Sequence, residues 1–248
     1  MKISYELVPS SLENVQKQLK WLNGREFDLI NIPDIPKFSL RSWDITLSEN
    51  DFRNVDHSIY HIRAIDFDLN TDSLKNIILN KGLLRKRLLI IKGDSTDRSR
   101  QVFDTSVLDM IKKVKEISSE IEVYVAFDPY RQSIKAELSS MNAKAEAGAD
   151  YFMSQPFFDT NLIKSYSKLF DSSKLFFGIS PVVSEASKSY WENVNNVQFP
   201  IDFEPTYDWN DNFANLALDV IESYGANAYF MPIKVDLDRY FEPIDLSH

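Results

Sequence analysis

Short apolar runs recur along the chain, and each one closes on or near a polar or charged residue. The stretches between them are longer, and in several of them, such as Leu12–Leu22, apolar residues return at helical spacing. Runs that are apolar on both faces and alternate with helices are typical of a parallel sheet covered on both sides. Eight such runs are present: Ile3–Val8, Leu29–Pro33, Ile59–Ile65, Leu88–Ile91, Val123–Phe127, Tyr151–Met153, Leu175–Ile179 and Ala228–Ile233. The pattern therefore predicts an α/β fold, a single (β/α)8 TIM barrel.

The length of the chain fits one domain of this kind. A (β/α)8 barrel takes roughly 250 residues, and the chain has 248, so residues 1–248 are expected to form one domain. In this fold the residues that carry the chemistry follow the carboxyl ends of the strands. Because those ends converge on one mouth of the barrel, the polar residues after the runs are the candidates for a site.

Composition and charge exclude several classes of protein. No apolar stretch approaches the ~20 residues that a membrane-spanning helix needs, so a soluble, cytoplasmic protein without a membrane partner is expected. The formal net charge of −9 argues against a nucleic-acid partner, because binding phosphates requires a basic face. The absence of cysteine excludes disulfides and thiolate metal sites. No metal is expected, since His57, His61 and His248 show no ligand spacing with suitable partners.

The interval before the eighth run is longer than the others. Its segment Asn193–Asn212 contains two prolines and four aromatic residues. Long loops in compact domains are often functional, so one hypothesis makes this segment an active-site loop or lid. The other makes it a packed surface crossover, and the sequence does not separate them.

Three strand ends carry a combination of residues that points to one family. The first run lies in the segment Ile3–Pro9. The fourth run is followed by Lys92-Gly93-Asp94, and the sixth lies in the block Lys144–Asp159. That block joins a lysine, an Ala-Gly-Ala turn and Gln155 followed by aromatic residues. In this order the segments closely resemble the methylenetetrahydrofolate reductase family, of which the chain would be a short, divergent member.

The resemblance implies an oxidoreductase that reduces 5,10-methylenetetrahydrofolate to 5-methyltetrahydrofolate, in the one-carbon metabolism that serves methionine biosynthesis. NAD(P)H would act as co-substrate and FAD as the bound cofactor of a flavoprotein. Opening the methylene bridge requires a proton on the leaving amine, so a carboxylic acid has to lie at the substrate. Glu6, between apolar neighbours, is expected as that acid. Asp94 would favour the cationic form of the folate.

The resemblance also implies binding residues. The amide of Gln155 donates and accepts hydrogen bonds together, which suits the edge of a pterin, and Phe157 would lie beside the ring. The residues assigned to the cofactor are His61, Lys92, Gly93, Asp94, Ala126, Asp128, Arg131 and Lys144.

Two departures from the family pattern concern the flavin. Many relatives have arginine where this chain has Lys92, which keeps the charge but lacks the two-pronged guanidinium. After the fifth strand, Asp128 stands in a segment that contains a histidine in the best-known bacterial relatives. A carboxylate there suits ribose hydroxyls but would repel a diphosphate. The basic residues expected to compensate are Arg98, Arg100, Arg131, Lys135 and Lys144.

Each assigned residue also has a structural alternative. Glu6 could be a salt-bridged rim residue, and Gly93-Asp94 a tight turn capping the next helix. Gln155 could satisfy buried backbone groups, and His61 could be a structural hydrogen-bonding residue. Two other functions stay open: a non-catalytic or partner-dependent folate-binding barrel, and a flavin-independent reductase with direct hydride transfer. The family's barrels associate, so a homo-oligomer is open as well.

Overall fold

A computed structural model of the chain describes residues 1–45, 47, 57–94 and 101–247. The strands in these ranges pair in chain order and close into an eight-stranded barrel. Their bounds are Ile3–Glu6 (β1), Leu29–Ile32 (β2), Ser58–Arg63 (β3), Arg87–Ile91 (β4), Glu122–Phe127 (β5), Tyr151–Pro156 (β6), Leu175–Ile179 (β7) and Asn227–Phe230 (β8). The predicted (β/α)8 barrel is confirmed.

The strands are parallel and deeply buried, as the apolar runs predict. In the β3–β4 pair, Ile59 lies opposite Arg87 and Arg63 lies opposite Ile91. In the β1–β8 pair, Ile3 lies opposite Ala228. Every residue of β2, β3, β7 and β8 is buried. Strands buried on both faces cannot alternate between apolar and polar residues, which explains the continuous runs in the sequence.

Helices fill the connections between the strands. Their bounds are Leu12–Leu22 (α1), Ser73–Asn80 (α2), Val107–Ile117 (α3), Ile134–Glu146 (α4), Thr160–Leu169 (α5), Glu185–Asn195 (α6), Tyr207–Ser223 (α7) and Leu237–Phe241 (α8). Several begin at a side-chain cap of the expected kind. Ser11 accepts a hydrogen bond from the backbone N–H of Asn14 at the start of α1, and Ser106 accepts one from that of Asp109 at the start of α3. Over the described ranges, no helix has both the length and the apolar character needed to cross a membrane.

The segment 193–212 is shorter as a loop than the sequence indicated. Its first residues complete α6, and α7 begins at Tyr207 behind the cap Thr206. Between them, Phe203 is 7% exposed and stacks on Phe199 with ring centroids 4.0 Å apart. Phe199 also lies 4.6 Å from the ring of Phe158. These contacts are those of the packed crossover, the second of the two hypotheses for this segment.

The chain forms two compact units. The amino-terminal unit comprises Glu6–Ala126 and Met141–Phe152, and it contains β2, β3 and β4. The carboxy-terminal unit comprises Met1–Tyr5, Phe127–Ser140 and Met153–His248, and it contains β7, β8 and the helices from α5 onward. The expectation of one domain over residues 1–248 stays a prediction.

Candidate active site

Glu6, the predicted acid, is the last residue of β1 in the amino-terminal unit. Its side chain is half-buried. The next residue, Leu7, is fully buried, and its N–H donates to the carbonyl of Asn31 at 2.9 Å. This backbone bond fixes the chain directly after Glu6. The catalytic role of the carboxyl group stays a prediction.

The Lys92-Gly93-Asp94 segment forms a tight turn after β4. Gly93 has φ +88°, in the left-handed region that favours glycine. Lys92 and Asp94 are exposed on either side of it. Among the described residues the turn caps no helix, because α3, the next helix in those ranges, begins at Val107 behind its own cap, Ser106. A turn that caps the next helix, the structural alternative for Gly93-Asp94, is therefore not what the described residues show, and the ligand contacts of Lys92 and Asp94 stay a prediction.

His61 lies inside β3 and is 4% exposed. Its Nε2 is 3.0 Å from Oδ1 of Asn31, and burial lowers the pKa of the ring from 6.5 to about 3. The ring is therefore neutral at physiological pH, with one nitrogen engaged by the neighbouring strand. These are the contacts of the structural alternative, and the flavin contact of His61 stays a prediction.

A chain of ionic contacts links the ends of β2 and β3 in the same unit. Arg41 binds Asp34 through two bonds, Nε to Oδ1 at 2.8 Å and NH2 to Oδ2 at 2.6 Å. The same NH2 donates to Asp66 at 2.6 Å, and Asp66 lies 3.7 Å from NH1 of Arg63. Sequence reasoning missed both arginines. The signal was present, because Arg63 closes a mostly apolar strand and a buried charge has to be paired.

Lys144 lies in the last turn of α4 and is half-buried. Its Nζ donates to the backbone carbonyl of Ala126 at 2.7 Å, near the end of β5. Two residues assigned to the cofactor are thus in direct contact with each other. The lysine holds a strand end in place, whether or not it also meets a ligand.

In the carboxy-terminal unit, Asp128 follows β5 and is half-buried. Burial raises the pKa of its carboxyl group, while the N–H of Tyr130 and the guanidinium of Arg131 act in the opposite direction. Nε of Arg131 lies 3.1 Å from Oδ2 of Asp128, so the arginine expected to compensate for this acid does pair with it. Lys135 is exposed, and Arg98 and Arg100 lie outside the described residues.

Glu137 is a second acid in this segment that sequence reasoning missed. It lies on α4 and is only 4% exposed. Its carboxylate accepts the backbone N–H of Asp128 at 3.1 Å and the side-chain amide of Gln132. Glu137 therefore shapes the turn after β5. Acidic residues on helices are usually solvent-exposed, so the sequence carried no signal for this burial.

Gln155 lies within β6, not after it as the sequence predicted, because the strand continues to Pro156. The strand is held closely there, since a Cβ on Gly178 of β7 would come within 2.8 Å of the carbonyl of Gln155. The side chain is half-buried, and among the described residues its amide makes no hydrogen bond. The structural alternative for Gln155, satisfying buried backbone groups, is therefore not what its contacts show.

Phe157, the predicted substrate contact, is fully buried. Its ring packs edge-on against Tyr166 at 5.8 Å and Phe177 at 5.3 Å. Phe157, the aromatic residue expected beside the pterin, is thus part of the core of this unit. Contact between Phe157 and a folate stays a prediction, and it would require part of this cluster to open.

Comparisons with known proteins identify the family of the chain. The sequence model described as methylenetetrahydrofolate reductase matches residues 53–222, more than half of the chain. The chain is 23% identical to the 5,10-methylenetetrahydrofolate reductase of Escherichia coli, over 65% of this chain and 59% of that protein. It is also 23% identical to a "probable methylenetetrahydrofolate reductase (NADPH)" of Caenorhabditis elegans, over 78% of this chain and 31% of that one.

Among solved structures, the fold is similar to an uncharacterized protein from Clostridium thermocellum that "binds two copies of 5-methyl-5,6,7,8-tetrahydrofolic acid". The TM-score is 0.66 at 14% identity, over 98% of this chain and 92% of the other. At this identity the likeness concerns the fold alone. The family assignment depends on the match over residues 53–222, which includes Lys92-Gly93-Asp94, Lys144 and Gln155. The chain belongs to the methylenetetrahydrofolate reductase family.

Proposed function

We propose that the protein reduces 5,10-methylenetetrahydrofolate to 5-methyltetrahydrofolate with a hydride that comes from NAD(P)H. Family membership supports this reaction, although the chain spans only 59% of the length of the E. coli relative. The structural observation that carries the proposal is Gln155, a half-buried amide on β6 with no hydrogen bond among the described residues. A pterin edge presents donors and acceptors side by side, which one amide can match. The protein would act in the cytoplasm, in one-carbon metabolism.

Two carboxylates have distinct roles in this proposal. Glu6 holds the proton that the leaving amine of the methylene bridge needs. Asp94, exposed after the Gly93 turn, favours the positive charge that develops on the folate when the bridge opens. Gln155 orients the pterin so that the one-carbon unit is presented for hydride transfer.

The residues assigned to FAD fit a flavin nucleotide in their chemistry. A flavin, when bound, accepts the hydride of NAD(P)H and passes it on. Lys92 is exposed and would meet a phosphate, and Asp128 would accept from ribose hydroxyls. The pairing of Asp128 with Arg131 reduces the repulsion that a bare carboxylate would exert on a diphosphate. Lys144 would add positive charge while it holds the Ala126 carbonyl.

Replacing Gln155 by alanine is expected to weaken binding of 5-methyltetrahydrofolate and to leave stability unchanged. Loss of a neutral hydrogen bond costs about 0.5–1.5 kcal/mol, which is roughly a 2- to 12-fold rise in Kd. Because the amide has no partner among the described residues, the free energy of unfolding should change by less than about 0.5 kcal/mol. Calorimetric titration and urea unfolding measure the two quantities.

Gln18→Ala is the matched control for Gln155→Ala. Gln18 is buried, and its amide bonds the N–H and the carbonyl of Val8 and the carbonyl of Asn14 at 3.0–3.1 Å. This variant should lose about 1–3 kcal/mol of stability and keep its folate affinity. If Gln155→Ala instead loses stability and binds folate as tightly as the wild type, Gln155 is a structural residue.

Replacing Lys144 by alanine is expected to weaken FAD binding. Loss of a charge-assisted hydrogen bond from a half-buried lysine costs about 1–3 kcal/mol, or roughly 5- to 150-fold in Kd. Fluorescence titration of the apoprotein with FAD measures this. Lys115→Ala is the control, because Nζ of Lys115 also donates to a backbone carbonyl, that of Ile121, at 2.8 Å. Equal FAD affinity in the wild type and both variants would show that Lys144 does not contribute to FAD binding.

A folate-binding barrel without a flavin of its own is the second candidate. The observation that favours it is the engagement of flavin-assigned side chains within the protein: His61 with Asn31, and Arg131 with Asp128. The solved structure of similar fold, whose description names bound 5-methyltetrahydrofolate, adds to this candidate. The two proposals predict different colors for the purified protein. A yellow preparation that releases flavin on denaturation supports the reductase, and a colorless one that binds folate supports the binding barrel.

A further inference from the structure

Arg63 is a charged side chain that the proposed reaction does not use. It is the last residue of β3, and only 1% of its surface is exposed. Burying a guanidinium is costly unless its hydrogen bonds and its charge are matched within the protein. Its contacts therefore indicate what the residue holds in place.

The guanidinium lies directly against the turn that carries Asp94. Its NH2 donates to the backbone carbonyl of Asp94. A Cβ on Gly93 would lie only 2.7 Å from Nε of Arg63, so the arginine and the turn fit together only because residue 93 has no side chain. The carbonyl of Lys92 also accepts the N–H of Ile65 at 3.1 Å, close to Arg63 in the chain. The end of β3 thus contacts all three residues of the turn.

Arg63 is itself held by the ionic chain at the ends of β2 and β3. Asp66, 3.7 Å from NH1 of Arg63, is bound by Arg41, and Arg41 is bound twice by Asp34. The side chains of Asp34 and Asp66 are 0% and 7% exposed. Two carboxylates balance two guanidinium groups, which is the condition under which buried charges persist. The arrangement leaves Arg63 little freedom to swing away from the turn.

The hydrogen bonding of the Arg63 guanidinium is directed at the turn. Among the residues that the structure describes, its Nε and NH1 make no hydrogen bond, and the bond from NH2 to Asp94 is the one that remains. An arginine kept only to satisfy the ionic chain would aim its donors at Asp66. Here the donor that makes a hydrogen bond, NH2, bonds the backbone carbonyl of Asp94 in the turn.

We propose that Arg63 is a positioning residue for Asp94: it holds the Lys92-Gly93-Asp94 turn in the one conformation that places the Asp94 carboxylate for the reaction. The inference rests on the proposed function, because Asp94 has its role there. It explains why this chain keeps a buried arginine beside a glycine. It also predicts that the effect of Arg63 on turnover passes through Asp94.

The structural part is tested by hydrogen exchange in the full-length protein. Arg63→Met keeps the length of the side chain, removes its charge, and leaves Asp66 paired with Arg41. We expect amide exchange in peptides covering the 92–94 turn and Ile65 to accelerate roughly tenfold or more, with other peptides unchanged. Arg87→Met is the matched control, since Arg87 also lies in a strand and is paired with Glu122 at 2.9 Å. Exchange at the turn that is the same in Arg63→Met and in the wild type would overturn the proposal.

The functional part is tested by a double-mutant cycle with Asp94→Asn. Arg63→Met alone should lower kcat by roughly 10- to 100-fold, the scale expected for a misplaced catalytic group, with KM little changed. In the Asp94→Asn background the same substitution should have less than about a twofold effect, because the group it positions is already gone. Multiplicative losses in the two backgrounds would overturn the proposal. Arg63→Lys, which keeps the charge, should recover part of kcat, and it replaces Arg63→Met if that variant does not fold.

The two proposals fail in different ways. Absence of turnover in the wild type would overturn the proposed function. The exchange experiment needs no turnover, so it still decides whether Arg63 holds the turn.

Discussion

Glu6→Gln is expected to slow the reduction of 5,10-methylenetetrahydrofolate by roughly 100- to 10,000-fold, the usual contribution of a positioned acid. Glutamine keeps the shape of the side chain and much of its hydrogen bonding, but it has no proton to give to the leaving amine. The loss should therefore appear in kcat, while the Kd for 5-methyltetrahydrofolate changes little. Steady-state rates and calorimetric titration measure the two quantities.

A second rate separates the acid role from general damage. Oxidation of NADH by the flavin-loaded protein without folate requires no proton from Glu6, so its rate should stay near that of the wild type. Glu122→Gln is the matched control, because Glu122 is also a half-buried glutamate in a strand, but at the beginning of β5. It should change kcat less than about twofold. Equal slowing of both rates by Glu6→Gln would indicate a disturbed site, and no slowing would return Glu6 to a rim carboxylate.

Acidification from about pH 7.5 to about pH 4 is expected to remove roughly 3 kcal/mol of folding stability through His61 alone. Burial lowers the pKa of His61 from 6.5 to about 3 in the folded protein. In the unfolded chain, His61 therefore binds a proton below about pH 6.5. In the folded protein it binds one only below about pH 3. The contribution is complete above pH 6.5 and is lost as the pH falls toward 3. Urea unfolding at a series of pH values measures it.

The control for this prediction is His61→Gln, which has no titrating ring and retains an amide that can bond Asn31. Carboxylates affect the wild type and the variant alike, so the difference between their two pH profiles isolates the histidine. If wild type and His61→Gln lose stability in parallel between pH 7.5 and 4, the ring is protonated in the folded state.

The strands were predicted from the sequence because their signal is local. The run at Leu175–Ile179 coincides with β7, and that at Leu88–Ile91 falls one residue short of β4. The end of β6 was placed three residues early, because Ser154 and Gln155 are polar. Both lie in the strand all the same, and Ser154 compensates through a bond from the N–H of Gly178 at 2.7 Å. That partner is 24 residues away, so no window of sequence contains it.

The residues of the candidate site also fall into those that the sequence predicted and those that it did not. Glu6, Gly93 and Gln155 were predicted as site residues because they lie near the ends of apolar runs and match a family pattern. Arg63 and Glu137 were missed, because a charged residue is ordinarily expected at the surface. Folding brings each of them to its hydrogen-bond partner. Arg63 donates to the carbonyl of Asp94, and Glu137 accepts the N–H of Asp128.

By itself, the sequence determined the barrel, because burial on both faces of a parallel strand demands continuous apolar runs and helices demand a different period. It also indicated polar residues near the strand ends, among them Gln155, which the structure places within β6. Only the tertiary structure decided their state: Gln155 is left without a hydrogen bond among the described residues, His61 is engaged with Asn31, and Asp128 is paired with Arg131. The physical reason is range. Periodicity acts between neighbours in the chain, whereas hydrogen bonds and charge pairs depend on distances of a few ångströms between residues that only folding brings together.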